Sequence, residues 1–329
     1  ACASPTPCEA DPLCLYPDAS GGEAAVTRYR VFPGMELDYR DVHARACREL
    51  RDGSGERLEI HHCLEGRVEY RQNGRYFYLS PGDLAVARTS SLPPDSRFST
   101  GHYHGITVTI DPAAAPECLS CILSDVEVRP ATLMEKLCPG RTVFTARSSR
   151  RVKHVFSELY AVPEDIRKGY LKVKLLELLL FLSTLSPEDG QTPHGCTAAQ
   201  VTLAEQVKAC LLAESDRTLT LKSLSQQFNV SEAQIKSSFT GVYGMSPASY
   251  ARSQRMHGAA ALLRETDRTV LDIACQFGYD NASKFARAFR DVIGVSPREY
   301  RAGAEYDSCA PQLGEKPVSL SDADVERRI

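Results

Sequence analysis

Hydrophobic positions change their period near residue 130. Before that point they alternate. In "RLEIHHCLEG" Leu58, Ile60, His62 and Leu64 share one face at period two, and in "GHYHGITVTI" Ile106, Val108 and Ile110 do the same until Asp111-Pro112 ends the run. "RVEYRQNGRYFYLSPGDLAVAR" reads as strand, Asn-Gly turn, strand, Pro-Gly-Asp turn, strand, because those turn residues tolerate the positive φ that tight hairpins need. Short antiparallel strands joined this way predict an all-β barrel or jelly roll over residues 23–135. Residues 1–22, rich in Pro, Ala, Ser and Asp, lack periodicity and read as a flexible lead-in.

Beyond 130 the period lengthens. Residues 148–161 and 163–185 are helical, the second with Leu171, Leu175, Leu178, Leu179 and Leu182 at intervals of three or four, giving a helical segment over 140–186. A linker over 187–197 follows by composition ("SPEDGQTPHG"), then a helical block over 198–301 and a polar tail over 302–329.

The helical block repeats itself. "LKSLSQQFNVSEAQIKSSFTGVYGMSPASY" at 221–250 matches "VLDIACQFGYDNASKFARAFRDVIGVSPREY" at 270–300. Leu221, Leu224 and Phe228 correspond to Val270, Ile273 and Phe277 at an offset of 49; Ile235, Phe239, Gly244, Ser246, Pro247 and Tyr250 correspond to Phe285, Phe289, Gly294, Ser296, Pro297 and Tyr300 at an offset of 50. The extra residue falls in a turn, where a length change costs least. Each copy predicts a short helix, a tight turn and a second helix ended by glycine, which is a helix-turn-helix. Ser-Pro after each glycine starts the next helix, serine as N-cap and proline where its missing N–H is harmless. The 20 or so residues between the copies form one helix of roughly 30 Å, long enough to hold two reading helices near successive major-groove faces, about 34 Å apart. Phe239, Phe285 and Phe289 are expected in the core.

Charge supports this locally. The whole chain of 329 residues carries a net charge of -3, against a generally polybasic binder, while residues 197–301 hold 13 Lys/Arg against 10 Asp/Glu. No apolar run reaches the roughly 18 residues of a membrane span, and no basic stretch followed by an apolar core suggests a leader. A cytoplasmic protein is expected. The 12 cysteines are scattered and read as reduced thiols, with Cys118 and Cys121 the sole CxxC.

These residues amount to a resemblance. "ALLRETDRTVLDIACQFGYDNASKFARAFRDVIGVSPREYR" resembles the signature region of the AraC/XylS family of bacterial transcription regulators, and the match extends back to about residue 198. "YLSPGDLAV" in the strand-rich half resembles the cupin-like sensor domain many members carry. The resemblance implies a ligand-responsive activator that binds a double-stranded operator as a homodimer through the 140–186 helices, without a cofactor, and admits RNA polymerase as a further partner. It places base contacts early in each second helix: Ala233, Gln234, Lys236 and Ser237 in the first copy, Ala282, Ser283, Lys284, Ala286 and Arg287 in the second. Chemistry favours Arg287 on guanine, Gln234 on adenine, Lys236 and Lys284 on base or phosphate, and Arg290 on phosphate. Family members often carry an aromatic residue near 233 and a basic one near 237; Ala233 and Ser237 are small. The second copy is therefore expected to do more of the reading.

For the effector, alternation places His62 beside Leu58 and Ile60, His102 and His104 beside Ile106, and Arg88 beside Leu84 and Val86. An inward cluster of His62, Arg88, His102 and His104 would suit an acidic or phenolic ligand. No metal is expected, because His102-x-His104 lacks the following Glu and later His of a metal-binding cupin. Nor is any catalytic residue evident. Two other readings stay open: a cupin-type enzyme fused to a DNA-binding module, and a repair protein accepting methyl groups on Cys118 or Cys121.

Overall fold

A computed structural model describes residues 10–14, 16–17, 22–48, 55–115, 128–140, 142–190, 195–213 and 220–307. The strands are β1 (Ala10–Cys14), β2 (Tyr16–Pro17), β3 (Gly22–Phe32), β4 (Met35–Ala44), β5 (Ala46–Arg48), β6 (Leu58–Gln72), β7 (Arg75–Leu79), β8 (Asp83–Arg88) and β9 (Asp95–Ile110). Helix α1 (Pro130–Leu137), strand β10 (Phe144–Arg147), α2 (Arg150–Tyr160) and α3 (Arg167–Thr184) follow. The remainder is helical: α4 (Ala198–Ala213), α5 (Leu221–Phe228), α6 (Glu232–Tyr243), α7 (Pro247–Glu265), α8 (Val270–Gln276), α9 (Ala282–Ile293) and α10 (Pro297–Asp307).

Every strand pairing is antiparallel, with the order β1-β3-β4-β9-β6-β8-β10; β7 pairs with β6, and β5 with β2 and β9. The predicted hairpin chemistry is present. Asn73 and Gly74 both have positive φ (51° and 73°) between β6 and β7, the backbone a two-residue turn requires. At the next turn Gly82 has φ 80° and the Ser80 N–H donates to Asp83 Oδ2 at 3.0 Å.

The sheet is covered on both faces. On one, Leu37, Leu58, Ile60, Val86, Ile106 and Val108 pack with Phe156 of α2 and Leu171, Leu175 and Leu178 of α3. On the other, Val42, Cys63, Val68, Tyr70, Phe98 and Tyr103 form a second cluster. All six residues from Leu58 to Cys63 are consequently buried, as in a central strand without a solvent face.

The chain divides into two compact units, one of residues 1–209 and 220–247, the other of 210–219 and 248–329. The first holds the β region, α1 to α3, most of α4, and α5–α6; the second holds α7 to α10. In the second, Met256, Leu263, Ile273, Phe285 and Phe289 form a core of their own, and Arg301 fastens α10 to α7 by donating to the Leu263 carbonyl at 3.2 Å.

The predicted boundaries shift in three places. The unpatterned lead-in contains β1, paired with β3 from Ala10↔Tyr29 to Cys14↔Ala25; five residues interrupted by Pro12 are too short to show alternation. The linker ends in structure, since Cys196 and Tyr76 exchange backbone hydrogen bonds at 2.8 and 2.9 Å on the edge of β7. Helix α10 runs to Asp307, past the expected end at 301, started by Ser296, whose Oγ accepts from the Glu299 N–H at 3.2 Å. Cys118 and Cys121 lie outside the described residues. No described helix is long and apolar enough to cross a membrane.

Candidate functional site

Both helix-turn-helix copies form as the repeat predicts. In the first, Ser231 caps α6 by accepting from the Gln234 N–H at 3.1 Å, Asn229 takes a left-handed turn (φ 52°), and Gly244 closes the helix at φ 75°. In the second, Asn281 caps α9 by accepting from the Ser283 N–H at 2.7 Å, Gly278 supplies the positive φ (79°), and Gly294 closes at φ 90°. The longer second turn absorbs the extra residue. Ile235, Phe239, Phe285 and Phe289 are fully buried, so each helix is fixed by its apolar stripe. Its opposite face is open: Gln234, Lys236 and Ser237 on α6, and Ser283, Lys284, Arg287 and Arg290 on α9, are all exposed. Ser237 donates to the Gln234 carbonyl at 3.1 Å, an i−3 bond that turns its hydroxyl back onto its own helix.

The first copy is also docked on the β region. Arg67 of β6 donates to the Gly241 carbonyl at 3.2 Å, and Ser99 of β9 donates to the Val242 carbonyl at 3.0 Å. These bonds satisfy the last-turn carbonyls that a helix leaves unpaired, and the guanidinium favours that negative end. Lys208 of α4 lies 5.0 Å over the Tyr243 ring and donates to the Ser99 carbonyl at 3.3 Å. Burial lowers the pKa of both Arg67 and Lys208. Gly241 allows the close approach: a Cβ there would lie 2.6 Å from Cys196 Sγ.

Beside this contact lies a narrow cleft in the β region, with room for little more than a water-sized group, lined by Arg40, His61, Glu69, Tyr70, Phe98 and Tyr103 among others. His61 lies between two polar neighbours, with Nε2 3.1 Å from Glu59 Oε2 and Nδ1 3.2 Å from Thr107 Oγ1. Tyr78 donates to Glu69 at 3.1 Å, and Phe98 stacks on Tyr103 at 5.2 Å. Two wall residues alternate with the docking residues: Val68 follows Arg67 on β6, and Phe98 precedes Ser99 on β9.

The four residues expected to share an inward pocket do not meet in one. His62 lies on the helix-covered face, stacked on Phe156 at 4.0 Å with Nδ1 3.3 Å from the Tyr160 hydroxyl; burial, then the Lys153 charge, lowers its pKa to about 4. Arg88 is committed to Glu135 and the Cys138 carbonyl, both at 2.7 Å. His104 Nε2 lies 3.3 Å from Asp41 Oδ1, on a strand exposed near its middle, and His102 is exposed two residues before it. The cleft takes His61, of the other parity. β6 is buried on both faces, so alternation alone leaves the choice between His61 and His62 undecided. The unbroken apolar-and-histidine run "LEIHHC" was the available sign of a two-sided strand. Two thiols are quiet: Cys63 and Cys138 are buried, which pushes their pKa values up to about 12 and about 11.

Two consecutive helix-turn-helix units joined to an antiparallel β region define a DNA-binding regulator, and comparison with known proteins agrees. A family model described as a helix-turn-helix domain matches residues 224–303. An uncharacterised helix-turn-helix-type transcriptional regulator of Escherichia coli, YdiP, is 35% identical over 275 residues, covering 79% of this chain and 88% of that protein. The arabinose operon regulatory protein of Salmonella typhimurium is 24% identical over 259 residues, covering 74% and 82%. The solved structure of fatty-acid-bound ToxT from Vibrio cholerae aligns over 83% of this chain and 96% of its own at 12% identity, with a TM-score of only 0.33. The chain belongs to the AraC/XylS family and is a DNA-binding transcription regulator.

Proposed function

We propose that this regulator is a cytoplasmic, ligand-responsive activator that acts without catalysis. It reads its operator with Gln234, Lys236 and Ser237 of α6 and with Ser283, Lys284, Arg287 and Arg290 of α9. Arg287 suits guanine and Gln234 adenine, with Arg290 a turn further along for phosphate. The β region serves as a cupin-like sensor whose effector enters the cleft beside Arg40 and His61, in place of the expected His62, Arg88, His102 and His104 set. Arg40 favours an anionic or strongly hydrogen-bonding ligand, and the tyrosines and Phe98 supply an aromatic wall. The cleft is narrow, so a ligand of more than a few heavy atoms must displace its wall. Helix α3 exposes Val173 to 62% and is the proposed homodimer face; RNA polymerase is the partner that activation requires.

One observation carries the ligand response. Cleft residues Val68 and Phe98 adjoin Arg67 and Ser99, which hold the end of α6. A ligand that moves either wall strand moves the group capping a reading helix, and so biases that helix between docked and released states. The test is footprinting on DNA beside the protein's own gene, followed by a transcription reporter screened with small anionic and phenolic compounds. Protection of two adjacent major-groove segments, and an inducer whose effect is lost in Arg40→Ala, support the reading. Protection confined to one segment, or induction that survives Arg40→Ala, overturns it.

A further inference from the structure

We propose that Asp41, His43 and His104 form a binding site for a divalent transition cation of the zinc class, on the face of the sheet opposite the effector cleft. Asp41 and His43 are two apart on β4, so both side chains leave the same face, and His104 of β9 pairs directly across from Asp41. Arg40, which lines the cleft, alternates with Asp41 and therefore projects the other way. Both imidazole Nε2 atoms converge on one carboxylate oxygen, Asp41 Oδ1, at 3.0 and 3.3 Å. The two rings meet edge to face at 5.3 Å, and one ligand atom from each residue lies within 4.8 Å of the others.

Those spacings suit a metal. Zinc holds imidazole nitrogen and carboxylate oxygen at about 2.0–2.2 Å, which sets tetrahedral ligand atoms roughly 3.3–3.6 Å apart. Two of the three separations are already near that range, and small side-chain rotations close the third. The site is open, with the Asp41 and His43 side chains 59% and 57% exposed and His104 at 34%, which leaves a fourth position for water or an incoming ligand. Two imidazoles and one carboxylate select borderline cations such as Zn²⁺, Co²⁺ or Ni²⁺ over Mg²⁺ or Ca²⁺.

The neighbouring strands reinforce the choice. Glu65 of β6 pairs across from His104, and Glu23 of β3 pairs across from His43. Glu65 holds that position because the register shifts between Cys63 and Glu65; without the bulge Leu64 would face His104. Gly66 sustains the irregularity at φ 80°, where a Cβ would lie 2.1 Å from the His102 carbonyl oxygen. Carboxylates on both flanks raise the local cation concentration. A bound ion ties β4 to β9, the strand that also carries Phe98 and Ser99.

The test uses the full-length, reduced, metal-free protein titrated with Co²⁺ and then with Zn²⁺. The site predicts one Co²⁺ per chain with visible d–d bands, without the near-ultraviolet charge-transfer band of thiolate ligation, and displaceable by Zn²⁺. His43→Ala and His104→Ala should each lower the affinity by about tenfold or more, no less than loss of an outer-shell partner does, while Cys275→Ser leaves it unchanged. Unchanged melting of the metal-free variants checks their fold, and Asp41→Asn with His104→Gln gives a near-isosteric second pair. Cobalt binding that persists in the His43→Ala/His104→Ala double variant, a thiolate spectrum alone, or no displaceable cobalt would each overturn the proposal.

Discussion

The two helix-turn-helix copies share a plan and differ in what surrounds them. Residue 241 in the first is glycine, against Cys196, with Arg67 and Ser99 on the carbonyls that follow. The corresponding residue in the second, fifty positions on, is Asp291, which is exposed. A Cβ at Gly244 would lie 2.3 Å from Arg67 Nη1, whereas one at Gly294 would meet nothing within 4 Å. Both glycines are needed for their left-handed helix ends; only the first is also needed for docking. The exposed faces diverge in the opposite sense, with two arginines and a lysine on α9 against one lysine on α6. The copy with fewer exposed cationic side chains is the one whose second helix is tied to the β region.

The division of labour breaks first if the second copy depends on the rest of the chain. Phe289→Ala empties a fully buried site in the core of the α7–α10 unit and should cost about 3–5 kcal/mol. Hydrogen exchange should then show α8 and α9 losing protection while β6 and β9 keep theirs; equal loss in both would end the claim that the second unit stands on its own core. Acid should probe the other unit. Folded His62 stays neutral down to about pH 4 against its ordinary 6.5, while the unfolded chain takes up the proton earlier. Stability from this group is therefore complete above about pH 6.5 and is lost as pH falls toward 4, by up to about 3 kcal/mol. His62→Phe keeps the stack on Phe156 and removes the titration, so it should flatten the fall in melting temperature between pH 7 and 5. An unaltered slope would show that His62 is not the group responsible.

Next in size is the asymmetry of reading. Arg287→Ala should cost about 1–3 kcal/mol of specific operator binding, and Ser237→Ala under about 0.5 kcal/mol, since the Ser237 hydroxyl is turned onto its own helix. Gel-shift titrations at one salt concentration check this, and comparable losses would make the two copies equal readers.

Much of this asymmetry is legible in the amino-acid sequence. Duplication made the helical half readable: two copies at offsets of 49 and 50 located the caps, the turns and the buried Phe239, Phe285 and Phe289. The α9 surface followed directly, since a helix with one apolar stripe leaves its other positions exposed. The β region resisted for a physical reason. Period two identifies a strand's faces only when one of them is wet, and Leu58 to Cys63 is dry on both, so alternation could not say which of His61 and His62 lines the cleft. Docking of α6 and the Asp41–His43–His104 group join residues 60 to more than 170 positions apart, and no local pattern encodes them.

The smallest effect gives the sharpest test of docking, because two contributions of opposite sign compete at Gly241. In an unencumbered helix, Gly→Ala stabilises by about 1 kcal/mol. Here the new methyl would lie 2.6 Å from Cys196 Sγ, closer than such atoms approach, and overpacking of this kind costs about 1–3 kcal/mol. Cys196 is buried and its backbone is held by Tyr76, so the sulfur has little room to yield. Gly241→Ala should therefore leave overall stability nearly unchanged while loosening α6 from Arg67 and Ser99, seen as faster exchange of the α6 amides. Cys196→Ala removes the sulfur. In that background the same substitution should recover the ordinary helix gain of about 1 kcal/mol, with slow α6 exchange restored. If Gly241→Ala stabilises equally with and without Cys196, the two residues do not press on each other, and the contrast between the two copies at this helix end loses its physical basis.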